Sequence, residues 1–369
     1  MPSIMPSCFV LLALLFSGRL DAATVARQVG IPTPNGEATI AYDVNAAGQV
    51  AAVLEDGDGN QRGVLFEKGV LTELGTPAGK YSDARGINSS GMIVGSARAA
   101  DGSWRAFLFD KETGLHQLGT LGGPSSYGMA INDSGHAAGF ADTAAGDWHA
   151  FVQDRGGVMK DLGTLGGKIS YAAGMNNAGQ VVGTAALQDG FRRAFLYDPA
   201  RGMINLGTLG GRQSSATAIN DDGVIVGASE TVDRKWHAFI YDGGTMVDLG
   251  AQIGRGSSFA TDINSAGQVV GTLLLGDERL SWVWRKGVLT IHRGGQGLHL
   301  TNSISDKEVV IGATFNRKLS AATMPAAALP VPPPQGMNKF LIAALFTLAI
   351  AGTAVLYQRQ FRASVPLRT

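Results

Sequence analysis

From Ile31 to Gly312 the apolar positions fall in short runs cut by Gly, Asn and Asp, without helical spacing. The stretch Ala218-Ile219-Asn220-Asp221-Asp222-Gly223-Val224-Ile225-Val226-Gly227 shows the unit. It predicts an apolar strand, a tight turn at Asn-x-x-Gly, and a second apolar strand ending in Gly. Asn tolerates turn conformations, and Gly supplies the backbone freedom that reverses the chain. The same frame recurs at Asn45…Gly48, Asn88…Gly91, Asn132…Gly135, Asn176…Gly179 and Asn264…Gly267, with successive Asn residues 43 or 44 positions apart. The chain is therefore a repeat protein.

A second landmark follows 17 residues after each Asn: Arg105-Ala106-Phe107, His149-Ala150-Phe151, Arg193-Ala194-Phe195 and His237-Ala238-Phe239, with eroded copies at Arg62-Gly63-Val64 and Ser281-Trp282-Val283. Aromatic and aliphatic residues continue it, so it predicts a third strand. An acid closes that strand at Glu67, Asp110, Asp154, Asp198 and Asp242, and a Gly just beyond predicts a hairpin. A fourth strand then runs into Leu-Gly-Thr-Leu-Gly-Gly at Leu118–Gly123, Leu162–Gly167 and Leu206–Gly211. Four short strands in about 44 residues predict the blade of a β-propeller, whose repeats commonly run about 40–45 residues.

Six units carry the Asn turn. A seventh, Ile304–Gly312, keeps only strand, turn and strand. Residues near Val25 to Pro32 stand where a fourth strand would, so pairing of the two ends would close the ring and remove open edges. The expected fold is all-β: a propeller of seven four-stranded blades, with six or eight as alternatives, closed by an N-terminal strand.

The ends add an address. The apolar run Cys8–Phe16, followed by small residues at Ala22, Ala23 and Ala26, predicts a signal peptide over residues 1–23. The propeller then spans 24–320, and a Pro- and Ala-rich linker 321–338. Phe340–Tyr357 has no charge over 18 residues, and predicts a membrane-spanning helix over 339–358. Arg359, Arg362 and Arg368 follow, so residues 359–369 form a basic cytoplasmic tail and the propeller lies outside the cytoplasm. Linker, helix and tail resemble the C-terminal sorting signals of bacterial envelope proteins, without the Pro-Glu-Pro signature of one class.

Charge removes some functions. Thirty basic and 30 acidic residues cancel, which excludes the basic field of a nucleic-acid binder. The single Cys8 lies in the leader, so the mature chain has no thiol for a disulfide, metal or nucleophile.

These landmarks resemble the HAF family of probable extracellular repeats, named for His-Ala-Phe. The motifs that carry the resemblance are His149-Ala150-Phe151, His237-Ala238-Phe239, Asp161-Leu162-Gly163-Thr164-Leu165-Gly166-Gly167 and Asn176-Asn177-Ala178-Gly179-Gln180-Val181-Val182-Gly183. The resemblance implies a bacterial exported protein and no established activity. His is replaced by Arg62, Arg105, Arg193 and Ser281 in four units, and neither metal ligation nor acid–base work tolerates that exchange.

Candidate ligand contacts are Arg105, His149, Arg193 and His237, which could ring one face and bind acidic glycans, and Trp104, Trp148 and Trp236, which could stack sugar rings. Packing between blades is the competing reading of the Trp residues. Asp56-Gly57-Asp58-Gly59-Asn60 with Glu67 resembles a calcium loop, but Gln61 stands where such a loop needs Gly. The acids closing the third strands read as turn caps. No catalytic set, cofactor site or metal site emerges. The expected function is an exported, membrane-anchored, non-catalytic binding or structural module of the cell envelope, with an envelope glycan or a protein as ligand. The alternative is an envelope carbohydrate-active enzyme with a site in the propeller channel.

Overall fold

Alternation of apolar residues with Gly- and Asn-centred turns produces strands along the described residues, with one short helical turn at Gly250–Ile253. The structure, a computed structural model, describes residues 11–15, 27–30, 38–56, 58–76, 81–154, 156–292 and 300–313. Two units divide the chain, Met1–Thr314 and Phe315–Thr369. The second lies outside the described residues, and with it the expected linker, membrane helix and basic tail. Among the described residues no helix is long and apolar enough to cross a membrane.

Each repeat makes an antiparallel meander. Repeat four shows the pattern: Gly166–Met175, Val181–Leu187, Arg192–Asp198 and Gly202–Asn205. The first strands of the seven repeats are Ala38–Val44, Ser82–Ile87, Gly122–Ile131, Gly166–Met175, Gly210–Ile219, Ser257–Ile263 and Leu300–Ile304. They neighbour one another in that order, and Leu300–Ile304 returns to Ala38–Val44. The result is an all-β, propeller-like ring with the first strands innermost.

The sheets do not number seven. Among the described residues, hydrogen bonding makes five four-stranded sheets and one eight-stranded sheet. The large sheet takes in repeats three and four, joined by one parallel pair, Trp148↔Ile169. The Gly-Thr-Leu-Gly-Gly segment brings the next first strand against the third strand of the preceding repeat, which allows that bridge.

The closing sheet joins both ends of the ring. Its order is Leu300–Ile304, Val309–Ala313, Leu11–Leu15, Arg27–Gly30. Arg27–Gly30 takes the fourth position, where Val25 to Pro32 had been expected. The third position is filled by Leu11–Leu15, a segment assigned from sequence to the leader.

One detail of the repeat differs from its sequence reading. The Gly that closes the Asn motif does not end the second strand; Gly183 lies inside Val181–Leu187. A Cβ there would stand 1.9 Å from the Tyr171 carbonyl oxygen. The same Gly pairs across the sheet with the Phe of the third strand, as Gly183↔Phe195 and Gly227↔Phe239. Phe107, Phe151, Phe195 and Phe239 are completely buried. Repeat one exchanges both partners together, pairing Ala52 with Val64.

Between repeats the core is continuous. Ala138, Ala150 and Leu162 pack with Val181, Phe195 and Tyr197 of the following repeat. At the closure, Val309 and Ile311 pack with Ala41, Val44, Val50 and Val64.

Candidate functional site

The third-strand landmark places its cation beside the fourth strand of the same repeat. His149 Nδ1 lies 2.8 Å from Asp161 Oδ2, and His237 Nδ1 lies 2.9 Å from Asp248 Oδ2. Arg62 pairs with Glu73 in the same way. Where the landmark is Arg105 or Arg193, the acid is replaced by Gln117 or Asn205. These arginines instead donate to backbone carbonyls, Arg105 to Pro124 and Arg193 to Arg212. In repeats two to five the exchange of His for Arg follows the partner that each repeat offers; in repeat one Arg62 keeps an acid, Glu73. All four expected ligand contacts spend hydrogen bonds on their own fold.

The middle residue of the landmark couples one repeat to the next. The Ala150 N–H donates to Ser170 Oγ at 2.8 Å, and Ala106, Ala194 and Ala238 donate likewise to Ser126, Ser214 and Ser258. Those serines are at most 1% exposed, and Ser170 and Ser214 in turn donate to the carbonyls of Gly163 and Gly207. His-Ala-Phe is thus a packing device: a polar residue bound to the fourth strand, an N–H given to the next repeat, and a ring seated over Gly.

The tryptophans divide. Trp148 and Trp236 are buried, with 4% and 8% exposure. Trp148 meets Phe140 at 5.5 Å and Tyr171 of the next repeat edge-on at 5.7 Å between centroids. Trp236 stacks on Phe259 of the next repeat at 6.2 Å. Trp104 is half-buried, tilted 6.0 Å from Tyr127 of the next repeat. Each sits where repeats meet, which is the packing role.

Of the acids that close the third strands, Asp110 and Asp198 cap their own turns, and Glu67 bonds other segments. Glu67 accepts from Gln49 Nε2 at 2.8 Å and from Lys111, and those bonds hold its carboxyl below the usual range. Asp198 accepts from Gln180 Nε2 at 3.1 Å, with the same effect. The calcium-like loop is capped from within. Asp56 accepts from the backbone N–H groups of Asp58 and Asn60 and from Asn60 Nδ2, and the Asn60 side chain leads the lowering of its pKa. Among the described residues no group of three metal-ligating side chains converges.

The turn asparagines have a second role that local pattern does not show. Asn45, Asn88, Asn132, Asn176 and Asn220 each donate from Nδ2 to the carbonyl of the equivalent Asn in the next repeat, at 2.9–3.3 Å. Asn264 donates to the Ser305 carbonyl at 3.2 Å. A parallel set links the following residues: Asp133 N to Asn177 Oδ1 and Asn177 N to Asp221 Oδ1, both at 2.8 Å. Ser305 has no side-chain amide, and its Oγ accepts from Val309 N at 3.1 Å, so the Asn ladder stops there.

At that seam the ring breaks its symmetry. Two positions before the turn residue stand Gly86, Ala130, Gly174 and Ala218 in repeats two to five, but Asp43, Asp262 and Ser303 in repeats one, six and seven. Ser303 Oγ lies 2.8 Å from Asp43 Oδ1 and 2.7 Å from Asp262 Oδ2. Asn302 Nδ2 also donates to the Ala41 carbonyl at 2.6 Å. Burial raises the pKa of Asp43; burial, with Asp43 as neighbouring charge, pushes Asp262 up to about 7. Sequence reading passed over these two acids, although the break from Gly and Ala at one repeat position was visible.

No family model matches the chain, and no curated protein matches it. Solved structures with a similar shape include TolB from Acinetobacter baumannii, 15% identical with a TM-score of 0.42. That match takes in 70% of this chain and 63% of TolB, so this chain spans less than two thirds of that protein. A putative TolB from Agrobacterium tumefaciens is 13% identical with a TM-score of 0.49, over 84% of this chain and all of the other. The acylaminoacyl peptidase of Pyrococcus horikoshii is 16% identical with a TM-score of 0.49, over 72% of this chain and 48% of the peptidase.

Proposed function

We propose that the chain is an exported propeller, membrane-anchored by residues 339–358, that serves the bacterial envelope as a non-catalytic binding or structural module. In this reading residues 1–23 direct export while their Leu11–Leu15 strand stays in the closing sheet, the eight-stranded sheet counts as two blades, and the ring has seven. The chain is read as a member of the HAF-repeat class.

The observation that carries the proposal is the internal use of the repeat's chemistry. His149, His237, Arg105 and Arg193 are bound within the fold, and Trp148 and Trp236 are buried between repeats. What the ring presents is a rigid surface of turns, which suits binding or spacing. Its ligand is an envelope glycan or protein.

The one acid pair on the inner strands argues against the enzyme reading. Glycosidases place two carboxyls about 5–9.5 Å apart with substrate or water between them. Between Asp43 and Asp262 stands Ser303, bonded to both. Both carboxylates also accept backbone N–H bonds, which leaves no place for a scissile bond.

Two measurements test the reading. Cell fractionation should find the full-length protein in the membrane and the chain truncated after Pro334 in the soluble extracytoplasmic fraction. A glycosidase, esterase and peptidase panel should show no turnover. Turnover abolished by Asp43→Asn or Asp262→Asn would overturn the non-catalytic assignment.

A further inference from the structure

The seam joining repeats six, seven and one is built unlike any other in the ring. The Asn rung persists from repeat six to repeat seven, where Asn264 donates to the Ser305 carbonyl, and two buried acids are added to it. Here Asp262 Oδ1 accepts from Ile263 N at 2.8 Å, and Oδ2 accepts from Ile304 N at 2.8 Å. Asp43 Oδ1 accepts from Val44 N at 2.8 Å, and Oδ2 accepts from Ile87 N at 2.9 Å. Between them stands Ser303, whose hydroxyl is 3% exposed at the residue level and within hydrogen-bonding distance of both acids.

A hydroxyl carries one hydrogen. Ser303 can therefore donate to one carboxylate, and the other must donate to Ser303. With both acids ionised, one carboxylate oxygen would face the Oγ lone pairs at hydrogen-bond distance. The arrangement is satisfied when Asp262 carries a proton and gives it to Ser303, which gives its own to Asp43, or when the chain runs in reverse. We propose that Asp262, Ser303 and Asp43 form a proton-dependent clasp that closes the ring, tying repeats six, seven and one when one proton is shared and loosening them when it is lost.

The surroundings leave that proton to the clasp. Opposite the three residues in their second strands lie Ala51, Val270 and Ile311. Repeat two contributes Asp83 and Arg85; Arg85 Nε bonds Asp83 Oδ2 at 2.9 Å, and its guanidinium lies 4.1 Å over the Tyr42 ring. Repeat five contributes Thr217, whose hydroxyl donates to the Ala260 carbonyl at 3.0 Å. The titratable groups on these packed elements are thus the two clasp acids, the Asp83–Arg85 pair and Tyr42, with Glu55 at the far end of its strand opposite Ala38 and Arg212 at the far end of the strand that carries Thr217. Burial, with Asp43 as neighbour, sets the Asp262 transition at about pH 7. The sign follows from a folded pKa raised above the unfolded one. The unfolded chain releases the proton near pH 4 while the ring keeps it. The contribution is therefore complete below about pH 4, shrinks as pH rises, and is gone above about pH 7.

The test is hydrogen exchange of the Ile304 and Val310 amides in the full-length protein, with wild type and Asp262→Asn compared after correction for intrinsic rates. Asn is neutral at all relevant pH; with Oδ1 kept for Ile263 N its Nδ2 faces Ser303, and the Ile304 N–H then loses its Oδ2 acceptor, so the pH course and not the absolute protection is compared, with Val310 as the amide that loses no partner. Between about pH 5 and about pH 8, wild-type protection should fall at least about tenfold more than that of the variant. The same pH course in both proteins would overturn the clasp. A second measurement keeps the proposal testable if the variant does not fold: the carboxyl carbon of Asp262 in wild type, followed by NMR. A midpoint near pH 7 supports the clasp, and one near pH 4 overturns it. The clasp stands or falls apart from what the propeller binds.

Discussion

Asn176 separates two roles that coincide in the repeat, turn former and inter-repeat donor. Its Oδ1 accepts from Gln180 N at 3.0 Å, and its Nδ2 donates to Gln180 Oε1 at 2.9 Å and to the Asn220 carbonyl at 3.1 Å. The residue is 3% exposed, so water does not replace these partners. Asn176→Ala orphans the Gln180 N–H and removes one partner of the Asn220 carbonyl. At roughly 1–3 kcal/mol for each buried group left unpaired, the expected loss is about 2–4 kcal/mol. Asn176→Asp keeps an acceptor for Gln180 N–H but sets a carboxylate against the Asn220 carbonyl. It should cost at least about 2 kcal/mol. Urea denaturation of the full-length protein, followed by Trp fluorescence, reads both values. For a domain of this size about 2–4 °C of Tm accompanies each kcal/mol. If Asn served only the turn, where Asp is equally at home, Asn176→Asp would be neutral within about 0.5 kcal/mol. That result would refute the ladder.

Other consequences are as direct. Val64→Phe should destabilise by about 1–3 kcal/mol against Ala52, and adding Ala52→Gly should recover at least half of it in a double-mutant cycle, because the pair is then Gly and Phe as in repeats two to five. Gly183→Ala should cost about 3 kcal/mol or more by denaturant midpoint, since its Cβ meets the Tyr171 carbonyl. Asp161→Asn should cost less than about 1 kcal/mol, because both its side chain and that of His149 are partly exposed, at 42% and 22%. Trp148→Ala should cost about 3–5 kcal/mol in thermal unfolding and leave ligand binding unchanged once the protein is folded.

What local pattern encodes was legible. Turn Asn and Gly, the third strand at His-Ala-Phe and the fourth strand before Leu-Gly-Thr all lie where the periodicity places them. The ladder was hidden because each Nδ2 bonds a carbonyl 41–44 residues away, a relation that no single repeat displays. The Gly of Val-Val-Gly was taken for a strand end because Gly commonly breaks strands; here it admits a carbonyl and a Phe ring. Leu11–Leu15 was read from its apolarity as part of a leader, and apolar β-rich runs pair as strands equally well, as this one does with Val309–Ala313. The acids Asp43 and Asp262 meet through Ser303, 260 residues from one and 41 from the other, so their relation exists only in the closed ring. The contacts of the Trp and His candidates, with a neighbouring repeat or a fourth strand, lie outside what the local pattern displays.

The one-way ladder has a consequence for how such a chain changes length. In repeats two to five every donor finds the same acceptor one repeat on, whether Asn88 and Asn132 or Asn176 and Asn220. An in-frame gain or loss of 44 residues within that span preserves each of these junctions, because the new neighbour offers the same carbonyl, serine and Gly. Only repeats one, six and seven carry partners that no other repeat can supply. The middle of the gene is thus open to unequal recombination, while its two ends evolve as one linked piece.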